Sequence, residues 1–321
     1  MIIPVFLFVI GLIALIKGGD WFVDGATGIA QRFHVPELII GATVVSIGTT
    51  LPEVMVSATS AFSGHGEIAY GNAIGSIICN TSLIAAITVS VRPSAVDPKT
   101  LKMPVIFFFL SALIYAANAY LVGYFSRALG AVLLLIFLIY MYMTVRQGLK
   151  NPSEASAEEE EAPSKSMAKD LLLLVVGAAL IAVGANLLVD NGTLIAQALG
   201  VPESVIALTF VALGTSLPEL VTAITSLIKG HGALSLGNVI GANIFNLVLV
   251  SGVSTLVSPF TVPQSSTIAG RNASLVLDIP LMMFVMAFLT LPALFTKKLH
   301  RFQGLILLVI YAAFCVIQFT L

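Results

Sequence analysis

Gly48-Thr49-Thr50-Leu51-Pro52-Glu53 and Gly214-Thr215-Ser216-Leu217-Pro218-Glu219 are one motif written twice in a chain of 321 residues. Each copy lies inside a long apolar stretch, where an ionised carboxylate costs several kcal/mol unless something compensates it. Two glutamates at matched positions imply one shared compensating partner, most simply a cation, and that points to ion transport. The match extends outward from the motifs. Residues 41–80 run onto 207–246 without a gap, and 18 of the 40 positions are identical. Upstream, Asp24, Thr27, Gln31, Pro36 and Glu37 pair with Asp190, Thr193, Gln197, Pro202 and Glu203. The chain is an internal duplication.

The composition is 58% hydrophobic and 10% charged, against about 25% charged in soluble domains. The apolar runs are long blocks rather than the short alternating strands of a barrel, so the fold class is an all-α polytopic membrane protein. The net charge of −1 offers no basic stripe for a nucleic acid. Cys79 and Cys315 are too few for a disulfide framework. Met1-Ile2-Ile3-Pro4 opens without a basic region, which reads as a first membrane helix rather than a cleaved signal.

At ~20 apolar residues per crossing, the chain divides into ten spans: 2–31, 36–62, 69–91, 101–121, 127–147, 169–198, 203–228, 234–258, 272–292 and 301–320. One set of connections carries Arg32, Arg92, Lys99, Lys102, Arg146, Lys150, Lys165, Lys169, Lys229, Lys297, Lys298 and Arg301, and the opposite set only Arg127 and Arg271. The positive-inside rule makes the first set cytoplasmic and both termini extracytoplasmic, in a cell (inner) membrane. Residues 149–168, with the run Glu158-Glu159-Glu160-Glu161, form a short acidic cytoplasmic linker. It separates a first repeat, 1–148, from a second, 169–321. Five spans per repeat is an odd number, so the second repeat is inverted, an arrangement suited to alternating access around a midplane site.

Within each motif the proline lacks an N–H and crowds the carbonyl four residues back. We therefore expect a broken helix whose freed carbonyls line a buried cavity. Thr49 and Glu53 share one helix face, as do Thr215 and Glu219. Brought together, the two faces make an all-oxygen site suited to hard cations, with no His or Cys to favour zinc or copper. The following spans add Asn72, Ser76 and Asn80 on one side and Asn238, Ala242 and Asn246 on the other, each set spaced by four. These amides either ligate or hold helices together; packing is the reading for Asn72 and Asn238, and both stay open for Asn80 and Asn246. The alternative for Glu53 and Glu219 is a protonated or ion-paired carboxylate, but the interiors of their helices hold no Lys or Arg. Asp20 and Asp24 flank Trp21 as interfacial anchors or vestibule acids, His65 and His231 sit in matched Gly-His-Gly turns, and Phe107-Phe108-Phe109 faces lipid or packs helices.

The paired G-T-[ST]-L-P-E and G-N-x-I-G segments resemble the two α-repeats of the sodium/calcium exchanger family, within the cation/calcium antiporters. The resemblance covers essentially the whole chain and looks like a prokaryotic member without regulatory domains. It implies a central group of cation sites holding one Ca2+ or several Na+. Glu53 and Glu219 would be the calcium ligands, assisted by backbone oxygens of Thr49 and Thr215. Flanking sodium sites would draw on Ser46, Thr50 and Ser76 on one side and Ala212 (carbonyl) and Ser216 on the other, with Asn80 and Asn246 completing the middle. Two departures stand out. Ala242 replaces a hydroxyl frequent in prokaryotic relatives, and Asn246 replaces an aspartate of some relatives, which argues against potassium co-transport. With two carboxylates, Ca2+ would neutralise the site and three Na+ would leave it at +1, which favours electrogenic exchange.

These expectations describe a Na+/Ca2+ antiporter with Ca2+, Na+ and the lipid bilayer as its partners, no cofactor, and a functional monomer. A Ca2+/H+ antiporter is the nearest rival. That branch carries a further glutamate after the Gly-Asn segment, where this chain has Ile74, Gly75, Ile240 and Gly241. An intramembrane enzyme would need a nucleophile with a base, a His pair or an aspartate dyad, and no such set is visible. A passive channel fits inverted carboxylate-bearing halves less well than an exchanger.

Overall fold

The computed structural model describes residues 2–93, 95–150, 166–199, 214–264 and 267–320. Among them, helices occupy every expected span: α1 Ile2–Arg32, α2 Glu37–Phe62, α3 Gly66–Val91, α4 Pro98–Leu121, α5 Arg127–Lys150, α6 Met167–Ala198, α7 Leu217–Ile228, α8 Gly232–Val257, α9 Ser274–Thr296 and α10 Arg301–Thr320. All but α7 are long and apolar enough to cross a bilayer. Residues 203–213 of the expected seventh span, and 151–165 of the linker, lie outside the described residues.

Local chemistry sets the boundaries. Pro98 opens α4 in the first turn, where its missing N–H is harmless, and the Asp97 side chain caps it by accepting from Lys99 N at 2.9 Å. The turns before α3 and α8 are built alike. Gly64 (φ 84°) and Gly230 (φ 90°) adopt the left-handed conformation that glycine tolerates, and the next residues, His65 and His231, donate their backbone N–H groups to Ser60 O and Ser226 O. The matched Gly-His-Gly sequences therefore serve as turns, as expected.

α1 and α6 pack as a pair along their length. Gly11 meets Gly184 and Leu188, Gly18 meets Gly177 and Ile181, and Gly25 meets Asp170 and Leu174. The contacts step down α6 as they step up α1, so the first helices of the two halves are antiparallel, as inverted halves require. The seam needs its small residues: a Cβ on Gly25 would fall 2.5 Å from Leu174 N. This pair is peripheral, with 22% of the central window of each helix buried, whereas α3 and α8 reach 72% and 83%. The buried apolar residues form two clusters accordingly. One joins α1 and α6 to α2, and the larger one runs through α3, α4, α5, α8, α9 and α10. Phe107 and Phe108 belong to the larger cluster, so that segment packs helices rather than facing lipid.

The two ends of the bundle differ in charge. At one end Arg32 pairs with Asp170 (3.3 Å), Lys229 with Asp24 (2.7 Å) and Asp20 (3.6 Å), and His231 with Glu37 (2.6 Å). There too Arg92 donates to Leu227 O, Arg301 donates to Val91 O, and Ala95 bridges Lys298. The other end holds two short ribbons, β1 Tyr124–Phe125 with β2 Phe260–Thr261, and β3 Thr267–Ile268 with β4 Arg271–Asn272. Arg127 donates to Leu256 O beside them. Basic residues thus gather at one end, as their distribution along the sequence requires. Asp20 and Asp24 prove to be partners of Lys229 at the end of α7.

Candidate cation-binding site

Glu53 lies in α2 and Glu219 in α7, both 0% exposed. The break expected at Pro52 is absent: the helix runs unbroken over Ser46–Phe62 with Pro52 inside it. Loss of one N–H removes a single rung of the ladder and leaves the flanking hydrogen bonds in place. The irregularity lies upstream instead, as a π-turn over Gly41–Val45. The second motif uses its proline differently. Ser216 is the N-cap of α7 and Pro218 sits in its first turn, where no N–H is needed. Glu219 follows in that same turn, so its carboxylate sits at the positive end of the helix.

Asn80 and Asn246 stand at equivalent junctions. Each is the first residue of a π-turn, Asn80–Ala85 in α3 and Asn246–Val250 in α8. Such turns loosen the regular hydrogen-bond ladder and recur at functional sites. The glutamate-bearing helices cross these turns reciprocally: α2 packs on the α8 turn, and α7 packs on the α3 turn. Each glutamate-bearing helix thereby meets the π-turn that opens with the asparagine of the opposite half.

The polar atoms so gathered are largely unsatisfied. Both carboxylate oxygens of Glu53, Oε2 of Glu219, and both amide atoms of Asn80 and of Asn246 are buried without a hydrogen-bond partner among the described residues. Glu219 Oε1 accepts a long 3.4 Å contact from Thr50 Oγ1, and the Thr49 hydroxyl also lies against this carboxylate. Glu53 feels the charge of Glu219. Among the described residues no cationic side chain pairs with either; the ion pairs all lie at the helix ends. Folded proteins satisfy about 90% or more of their buried polar groups, so this concentration of oxygen acceptors fits a hard cation.

The other expected residues divide. Thr50 (0% exposed), Ser76 (4%) and Ser216 (2%) are buried. Ser216 Oγ lies beside Cys79 without a hydrogen bond of ordinary geometry. Thr215 is half-buried in the turn before α7, and Ala212 lies outside the described residues. Ser46 and Thr49 also bind α8. Ser46 Oγ donates to Gly41 O at 2.7 Å and lies 3.0 Å from Asn238 O, while Thr49 Oγ1 donates to Asn238 Oδ1 at 3.2 Å. Their hydroxyls fasten α2 to α8, and that of Thr49 also reaches the Glu219 carboxylate.

Asn72 and Asn238 do not behave alike. Asn72 Nδ2 donates to Ser57 Oγ (2.8 Å) and to Glu53 O (3.3 Å), holding the backbone of the glutamate itself. The repeat equivalent of Ser57 is Ala223, so Asn238 has no such hydroxyl and turns to Ser46 and Thr49. The π-turns carried no sequence signal, since nothing in Asn80-Thr81-Ser82 or Asn246-Leu247-Val248 opposes an ordinary helix. A buried pair beside them, Asn243 and Thr81, was legible only as two polar residues breaking the repeat, facing Ile77 and Leu247 in the other copy.

Comparison with known proteins places this geometry. The pattern of the family described as sodium/calcium exchanger protein matches residues 3–146 and 169–320. The chain is 34% identical over 327 residues to the putative antiporter CaxA of Alkalimonas amylolytica, covering 100% of both. It is 29% identical to the sodium/calcium exchanger MaX1 of Methanosarcina acetivorans, covering 98% of this chain and 97% of that one. A structure of the sodium-calcium exchanger NCX_Mj, soaked with Na+ and Sr2+, superposes with a TM-score of 0.81 at 36% identity, over 97% of each chain. The helical membrane fold agrees with these matches, and the chain belongs to the sodium/calcium exchanger family of membrane antiporters.

Proposed function

We propose that this protein exchanges Na+ for Ca2+ by alternating access, with Glu53 and Glu219 as ligands that both ions need. The observation that carries this reading is the pair of buried carboxylates with no cationic partner among the described residues, on helices that pack against the π-turns bearing the unsatisfied amides of Asn80 and Asn246. Asn80 and Asn246 complete the centre. Thr50, Ser76, Ser216 and Ala212, with the carbonyls of Ser46, Thr49 and Thr215, flank it. Ions that need the same two carboxylates exclude one another, and exclusion couples their fluxes. The two five-helix repeats, 1–148 and 169–321, meet at this centre, and every ligand comes from one chain, so a monomer suffices. The basic end faces the cytoplasm of an inner membrane, together with the linker 149–168, and both termini lie outside.

The test is uptake of radiolabelled Ca2+ into proteoliposomes carrying an outward gradient of Na+, K+ or H+. Uptake driven by Na+ alone, and lost in Glu53→Gln and in Glu219→Gln, is the expected result. Uptake driven by H+ alone would assign the protein to proton-coupled exchange, with the same carboxylates taking up protons. Folded protein that moves no Ca2+ under any gradient would overturn the calcium reading.

A further inference from the structure

Asn243 and Thr81 are both 0% exposed and lie on the two helices that carry the central asparagines. Asn243 Nδ2 donates to Thr81 Oγ1 at 2.7 Å, linking α8 to α3. The Thr81 proton is already committed to Ile77 O at 2.8 Å, so its oxygen is an acceptor and the amide must present its NH2 group. The same nitrogen lies 3.6 Å from Met286 Sδ on α9, which leaves Asn243 Oδ1 without a partner. Thr81 is the residue after Asn80 in its π-turn, and Asn243 stands one helical turn ahead of Asn246. A buried hydrogen bond therefore joins the α3 π-turn to the helical turn of α8 that leads into its own π-turn. It has no counterpart in the other repeat, where the equivalent residues are Ile77 and Leu247.

We infer that Asn243, through Thr81, is a positioning residue that sets the spacing of Asn80 and Asn246 and so the size of cation the centre prefers. This rests on the exchanger reading above. Oxygen ligands sit 2.3–2.6 Å from Ca2+, so a change of a few tenths of an ångström in their spacing moves the preference towards larger divalent ions. Asn243 faces α3 and α9, about 100° around α8 from the line of Asn238, Ala242 and Asn246. It acts on the ion through its neighbours.

The experiment uses the full reconstituted chain and Na+-driven Ca2+ uptake with Ba2+ as competitor. Asn243→Leu and Thr81→Val keep shape and remove the bond, Thr81→Ser keeps the hydroxyl, and the double variant removes both partners. Asn243→Leu and Thr81→Val are expected to raise Ca2+ half-saturation roughly tenfold and narrow the preference for Ca2+ over Ba2+, with maximal rate held within about twofold. Thr81→Ser should match wild type, and the double variant should be no worse than the weaker single one. Unchanged half-saturation, additive single effects, or a loss of rate alone would overturn the inference. If Asn243→Leu does not fold, Thr81→Val against Thr81→Ser decides by the same criteria. If wild type shows no Na+-driven uptake, the exchanger reading fails separately, and Ca2+-induced thermal stabilisation then reads the brace. Stabilisation of wild type that weakens in Thr81→Val but not in Thr81→Ser supports it; equal stabilisation, or none, overturns it.

Discussion

Asn246 decides how much negative charge the centre holds. Its amide atoms are buried and unsatisfied in the π-turn against which the Glu53 helix packs, so in the proposed centre Asn246→Asp would add a third negative charge to the two carboxylates. At an effective dielectric of 20, unit charges 4 Å apart interact by about 4 kcal/mol, and burial of the added carboxylate cancels a large part of this. Ca2+ half-saturation is expected to fall about tenfold, equivalent to ~1.4 kcal/mol. Competition by Na+ at fixed Ca2+ would check it, and unchanged or weaker Ca2+ binding would show that Asn246 lies away from the ion. The glutamates and asparagines were legible because a carboxylate or amide that recurs at matched positions inside apolar sequence is too costly to bury without a partner. The commitment of Ser46 and Thr49 to Asn238 was not, because it turns on Ala223 lacking the hydroxyl that Ser57 offers Asn72.

At the level of elements, duplication conceals unequal packing. A Cβ on Gly237 would lie 2.2 Å from Leu38 O, and one on Gly241 would lie 2.3 Å from Ser46 Oγ. Their repeat mates, Gly71 and Gly75, have nothing within 4 Å. Gly237→Ala should therefore lower the melting temperature in detergent by the equivalent of about 1–3 kcal/mol, whereas Gly71→Ala should leave it level or slightly raised. Equal effects would contradict the close crossing of α2 and α8. The helices themselves were readable from apolar length, and α1 and α6, of 31 and 32 residues, were rightly expected to be the long ones. The π-turns were not readable. An extra residue in a turn changes hydrogen-bond pairing without changing residue type, and Pro52, the visible helix breaker, stands inside a helix that continues on both sides of it.

Across the whole molecule, the α1–α6 pair meets the remaining helices over limited surface and is tied at its charged end. Asp170 is buried (2% side-chain exposure) and its partner Arg32 is partly exposed (28%). Asp170→Asn would remove the buried member of this pair and its charge-assisted bond to Arg32, and a loss of about 1–2 kcal/mol in thermal stability is expected. Lys229→Ser removes more exposed pairs and should cost under about 1 kcal/mol. A reversed order would mean that the join to α7, rather than the α1–α6 end, carries the stability. The repeat mates of Arg32 and Lys229 are Ala198 and Ser63. A half-turn that exchanges the two membrane faces therefore carries the motif helices onto one another but leaves these ion pairs behind. The inward- and outward-directed forms of such a molecule are not degenerate. A population of vesicles with the protein inserted both ways round will show two half-saturation constants for the same ion, and blocking one face chemically will leave a single one.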